Sequence, residues 1–177
     1  MTAQATGRPA AVLVGPMGAG KSTVGRALAH ALGVAFCDTD DELERRSGRS
    51  IPDIFAADGE PAFRRLESEV VTDVLGRFDG VVSLGGGAVM TDTIREALAG
   101  HAVVYLRVGA DTGFARVAAS DRPLLADPDP RRRYADLLSR REPTYRAVAA
   151  VEVDAARNPQ TVVDDIRARL QAVRADQ

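Results

Sequence analysis

The chain has 177 residues, 45% of them hydrophobic and 27% charged, and carries a net charge of −2. Those values suit a single globular domain with a full-sized core and exclude the basic footprint of a nucleic-acid or anionic-membrane binder. Cys37 is the one cysteine, which rules out an internal disulfide, and with His30 and His101 as the only histidines no structural zinc site is expected.

Residues 1–9 are polar and read as a flexible lead-in without the apolar core of a signal peptide. No apolar run approaches bilayer length, so a cytoplasmic protein is expected. Residues 10–25 follow as a buried strand, a glycine-rich turn and the first turn of a helix. Gly15, Gly20, Lys21 and Ser22 fit the phosphate-binding pattern G-x-x-x-x-G-K-[ST], in which backbone N–H groups wrap phosphate oxygens at a helix N-terminus. Lys21 is the only lysine among 23 Lys plus Arg. Arginine serves wherever a solvated positive charge suffices, whereas a compact ammonium on a flexible stem suits the gap between β- and γ-phosphates.

The helix over 22–32 ends at Gly33, and 34–37 forms a short strand with Cys37 as a small buried hydrophobe. Asp38, Thr39, Asp40, Asp41 and Glu42 come next. Thr39 and Glu42 can form a capping box, but aspartates at the carboxyl end of a strand beside the phosphate loop also suit metal and hydroxyl chemistry. A helix beginning at Glu60-Pro61 runs to about Leu75, and its (i, i+3) spacing lets Glu67 brace Arg64 beside Phe63. The strand 81–84 leads into Gly85, Gly86 and Gly87, a run suited to backbone N–H groups that face a ligand closely. That strand lacks the terminal acid of a Walker B site, leaving Asp38 as the nearest candidate for a metal.

Residues 91–98 form a helix, 102–107 a strand and 111–119 a helix. Around Arg122, the stretch 120–130 has no periodicity and carries Pro123, Pro128 and Pro130, the composition of a loop long enough to close over a nucleotide. A basic helix over 131–147 is interrupted by Pro143, with Arg131, Arg132 and Arg133 as a solvated face. The strand 151–154 and a helix over 161–173 complete the chain, with 174–177 flexible. Strands alternating with helices predict one domain: a three-layer α/β P-loop fold whose parallel sheet of about five strands is covered by helices on both faces.

With the P-loop, Asp38-Thr39-Asp40, Arg64-Arg65-Leu66-Glu67 and the triple glycine in place, the chain resembles shikimate kinase. Arg64, Glu67, Val71 and the run Val81-Val82-Ser83-Leu84-Gly85-Gly86-Gly87-Ala88-Val89 fit that family's pattern, as do Arg122-Pro123-Leu124-Leu125 and Arg140-Arg141-Glu142-Pro143-Thr144-Tyr145. The resemblance implies ATP-dependent phosphorylation of the 3-hydroxyl of shikimate in chorismate and aromatic amino-acid biosynthesis, by a monomer. It implies strand order 2-3-1-4-5 and a lid at about 118–130. Carried onto this chain, it gives Gly18, Ala19, Gly20, Lys21, Ser22 and Thr23 to the ATP phosphates, with Mg²⁺ held by Ser22 and Asp38. Asp40 binds the substrate hydroxyls as the candidate base. Arg64, Arg141 and the Gly85–Gly87 backbone meet the substrate carboxylate. Lys21 and Arg122 supply positive charge in catalysis, and Arg116, Arg157, Asn158 and Pro159 are the candidate adenine contacts.

A gluconate or nucleoside-monophosphate kinase would keep the phosphate loop and lid, but Arg64 and the triple glycine argue for another acceptor. A GTPase-type switch needs a second lysine to read guanine, and the chain has none.

Overall fold

Strand β1 (Ala11–Val14) is apolar at every position and buried throughout, the pattern of a strand that needs cover on both faces. Its side chains alternate. Val12 and Val14 join a core with Ile54, Phe63, Ile94 and Leu138, whereas Ala11 and Leu13 join one with Leu28, Ile166 and Leu170. Each fully buried leucine or isoleucine contributes about 1.5–3 kcal/mol relative to exposure, so two such layers hold the sheet from both sides. The computed structural model describes residues 7–118 and 127–175.

β2 (Phe36–Asp38), β3 (Val81–Ser83), β4 (Val103–Arg107) and β5 (Val151–Asp154) complete a parallel sheet in the order β2-β3-β1-β4-β5, as expected. Helices α1 (Lys21–Leu32) and α7 (Pro159–Ala175) cover one face. The other is covered by α3 (Ile51–Arg77), α4 (Asp92–Leu98) and α6 (Pro130–Val148), with α2 (Thr39–Ser47) and α5 (Ala110–Val117) at its margin. The chain leaves β1 toward β2 but leaves β3 toward β4, so it parts between two neighbouring strands. A crevice opens at their carboxyl ends, where open α/β sheets bind ligands.

Several local expectations need correction. A helical stretch from Ile51, not expected from the sequence, precedes the helix expected at Glu60: the Ser50 side chain caps it by accepting from Asp53 N, and Pro52 occupies its first turn. It breaks at Gly59 (φ 80°, ψ 171°), a conformation open to glycine alone, and resumes at once. Thr39 does not cap α2. Asp38 does, by accepting from Asp40 N, while Glu42 pairs with Arg45 and Arg46. Pro143 does not interrupt α6, whose buried Tyr134, Leu138 and Tyr145 hold it together across the lost hydrogen bond.

The described residues near both ends pack on the domain. Pro9 is buried, a Cβ on Gly7 would strike the Arg77 backbone, and α7 reaches Ala175. Pro130 belongs to α6, which shortens the expected lid at that side. Cys37 is only half-buried, and burial still pushes its thiol up to about 11.

Candidate active site

The loop between β1 and α1 turns through Gly18 (φ 79°) and Gly20 (φ 83°), left-handed positions that favour glycine and aim backbone N–H groups inward. Gly20 is also the N-cap of α1, so the loop delivers directly onto a helix N-terminus. The Lys21 ammonium folds back over this loop, donating to Gly15 O at 2.8 Å and Pro16 O at 2.9 Å. Such an arrangement places one positive charge and a row of donors around a single hollow.

Ser22 Oγ donates to Asp38 Oδ2 at 2.6 Å, and Asp38 Oδ1 accepts from Asp40 N at 2.9 Å. The cap therefore fixes the carboxylate that faces the serine. A hydroxyl and a carboxylate are the hard oxygen donors that Mg²⁺ takes when phosphates and waters complete its shell. Among the described residues there is no group of three or more His, Cys, Asp or Glu side chains that could hold a metal ion.

Across the crevice, Glu67 is 2% exposed and accepts from Arg64 Nη1 at 2.7 Å. Arg64 also lies over the Phe63 ring, with its guanidinium carbon 5.1 Å from the centroid. Burial pushes the Glu67 carboxyl upward, and the Arg64 and Arg141 guanidinium groups oppose the shift. The triple glycine lies among these groups. A Cβ on Gly85 would sit 2.8 Å from Asp40 Oδ1 and 3.1 Å from Glu67 Oε1; one on Gly87 would come within 2.5 Å of Arg64 Nη2. A side chain at Gly85 or Gly87 would displace these groups, whereas a Cβ on Gly86 would meet nothing closer than 3.4 Å.

Lys21, Ser22, Asp38, Asp40, Arg64 and Arg141 all line one cavity of about 670 Å³, together with Gly85, Gly86 and Gly87. At one end the cavity offers the cradle and ammonium for a polyphosphate. At the other it offers two guanidinium groups and a carboxylate for an anion that bears hydroxyls.

Residues 17–171 match the family model described as shikimate kinase. The chain belongs to the shikimate kinase family. It is 55% identical over 165 residues to the shikimate kinase of Mycobacterium tuberculosis, an alignment that covers 92% of this chain and 94% of that one. Identity to the shikimate kinase of Rhodococcus erythropolis is 50% over 166 residues, covering 93% and 98%. The solved structure of shikimate kinase from Acinetobacter baumannii in complex with shikimate superposes with a TM-score of 0.88 at 38% identity, covering 97% of this chain and 96% of that one.

Not every residue expected from the family resemblance reaches the cavity. Gly18, Gly20, Ser22 and Thr23 line it, whereas Ala19 is buried beneath the loop. Arg116 lines it and also ties three carbonyls together, those of Gly18, Ala155 and Ala156. Arg157, Asn158 and Pro159 do not line it. Arg157 pairs with Asp165 at 2.6 Å, Asn158 accepts from Thr161, and Pro159 opens α7. Arg122 lies outside the described residues.

The sequence reading missed Phe55, which lines the cavity beside Phe63 with ring centroids 4.6 Å apart. Ser50 and Pro52, a cap followed by a first-turn proline, were the available signal for the helix that carries it. Tyr134 was missed as well, and no local pattern marks it; Tyr145 closes the run from Arg140 that fits the family pattern, but no role was read for it.

Proposed function

We propose that this chain transfers the γ-phosphoryl group of ATP to the 3-hydroxyl of shikimate, giving shikimate 3-phosphate, ADP and a proton. The observation that carries this reading is the shared cavity: the phosphate cradle with Lys21 opens onto Asp40, Arg64 and Arg141. Arg64, held by Glu67, and Arg141 would grip the carboxylate of a cyclic hydroxy acid with forked hydrogen bonds, while Asp40 accepts from its hydroxyls. Arg116, Arg157, Asn158 and Pro159 stay the candidate adenine contacts, Arg116 from the cavity wall and the other three from the turn that enters α7.

Phosphoryl transfer needs in-line positioning and neutralised charge more than covalent help from the protein. Asp40 orients the attacking oxygen and takes its proton as the new bond forms. Lys21 balances the charge that builds on the β- and γ-phosphate oxygens. Mg²⁺, held through Ser22 and Asp38, would neutralise phosphate charge when bound with the nucleotide. The lid that the resemblance implies lies, with Arg122, largely outside the described residues. The reading includes a cytoplasmic monomer, which size-exclusion chromatography with light scattering tests for mass.

The deciding experiment is ADP release by the chain with ATP and Mg²⁺ on addition of shikimate, gluconate or AMP. Turnover with shikimate alone is expected; preference for gluconate or AMP overturns the acceptor.

A further inference from the structure

The chain has three tyrosines, and all of them are buried in one layer: Tyr105 on β4, and Tyr134 and Tyr145 on α6. Tyr134 and Tyr145 lie about three helical turns apart, roughly 16 Å along the axis, so they leave α6 on the same side. Each spends its hydroxyl on a loop carbonyl. Tyr134 donates to Met17 O of the phosphate loop at 2.6 Å, and Tyr145 donates to Gly86 O of the triple glycine.

The surroundings of each tyrosine are shaped for that reach. Gly113 of α5 stands in the path of Tyr134, where a Cβ would strike the hydroxyl, and a Cβ on Gly18 would in turn strike the Gly113 carbonyl. Tyr145 stacks on Tyr105 with ring centroids 5.2 Å apart, and the Arg141 guanidinium lies against its hydroxyl. Arg141 is one turn before Tyr145 on α6, so a single side chain braces both the carbonyl side of Gly86 and a clamp arginine.

We infer that Tyr134 and Tyr145 are positioning residues, two latches on one helix that hold the phosphate loop and the acceptor clamp in register. This deepens the proposed function and rests on it. A hydrogen bond from one rigid helix to each loop holds that loop in its binding shape, so each latch governs the affinity of the substrate at the loop it touches. Both hydroxyls are protonated donors at neutral pH, as any tyrosine is, and burial pushes each further up, to about 12.

Tyr134→Phe and Tyr145→Phe each remove one oxygen and keep the ring, and steady-state kinetics against both substrates separates their roles. Loss of one buried hydrogen bond should raise the KM for ATP about three- to tenfold in Tyr134→Phe with the shikimate KM unmoved. The reverse split is expected in Tyr145→Phe. Gly113→Ala should repeat the Tyr134→Phe pattern by blocking the reach. Wild-type chain that releases no ADP with shikimate overturns the proposed function and this inference with it. Active wild type whose variants shift neither KM, or both together, overturns the inference alone. Should a variant fail to fold, ¹⁹F spectra of the 3-fluorotyrosine-labelled wild type decide: ADP and shikimate must each move a different tyrosine signal. Movement of the same signal by both ligands, or of none, overturns it.

Discussion

Ser22 Oγ lies 2.6 Å from Asp38 Oδ2, joining the first turn of α1 to the end of a strand that is not its neighbour in the sheet. Ser22 and Asp38 are the residues that would hold a divalent ion brought by the nucleotide, supplying it with hard oxygen donors. Asp38→Asn removes that charge yet keeps an oxygen able to accept from Asp40 N, so α2 stays capped. Half-saturating Mg²⁺ should rise at least about tenfold while the melting temperature changes by less than about 4 °C. A magnesium titration of activity beside a thermal melt checks both; an unmoved titration removes Asp38 from metal binding.

Glu67 makes the acceptor clamp pH-sensitive. Because burial raises its carboxyl above the usual range, the native state keeps that proton to higher pH than the unfolded chain does. Between the ordinary glutamate value of about 4.3 and the raised native one, folding therefore loses stability as pH rises; the contribution is whole below that interval. Glu67→Gln should flatten this slope in denaturant titrations across the interval. It should also raise the shikimate KM about tenfold by freeing Arg64, with the ATP KM unchanged.

Gly85→Ala tests the close approach at the triple glycine. The added methyl would enter between Asp40 and Glu67, at 2.8 and 3.1 Å from their oxygens, and Asp40 is too short to give way freely. Turnover with shikimate should fall at least about tenfold, since a small displacement of a positioned oxygen costs rate steeply. ATP binding, measured by calorimetry with Mg²⁺, should persist.

Asp40→Asn separates binding from chemistry. The amide keeps the size and one acceptor but neither the charge nor the basicity of the carboxylate. ATP binding should remain nearly intact while kcat falls by about 10²–10⁴. Unchanged kcat excludes Asp40 from the reaction.

The phosphate loop, Asp38, Asp40, the Arg64 and Glu67 pair and the triple glycine were legible because each is a short-range pattern at a strand end. Sheet order followed once that pattern identified the family resemblance. What escaped depends on distance along the chain. Tyr134 meets Met17 and Tyr145 meets Gly86 only after the sheet has folded, so nothing near either tyrosine announces its partner. The break at Gly59 hid in another way: Gly-Glu-Pro looks like a helix start, and it is one, but a second helix ends against it. Arg157 and Asn158 sit just before α7, where they pair locally with Asp165 and Thr161.

Gly59→Ala asks whether that break positions the acceptor pocket. The angle between the two halves of α3 brings Phe55 and Phe63 to the same cavity wall, with their rings in contact. At φ 80° and ψ 171° an alanine costs about 1–3 kcal/mol, because a Cβ in that region collides with its own backbone. For a chain of this size the cost should lower the melting temperature by about 3–10 °C. Straightening the join to relieve strain would pull Phe55 away from Phe63, so the shikimate KM should rise while the ATP KM holds, the phosphate loop lying on the far side of the crevice. A melting temperature that falls with both KM values intact would leave Gly59 as a folding requirement with no part in recognising the acceptor.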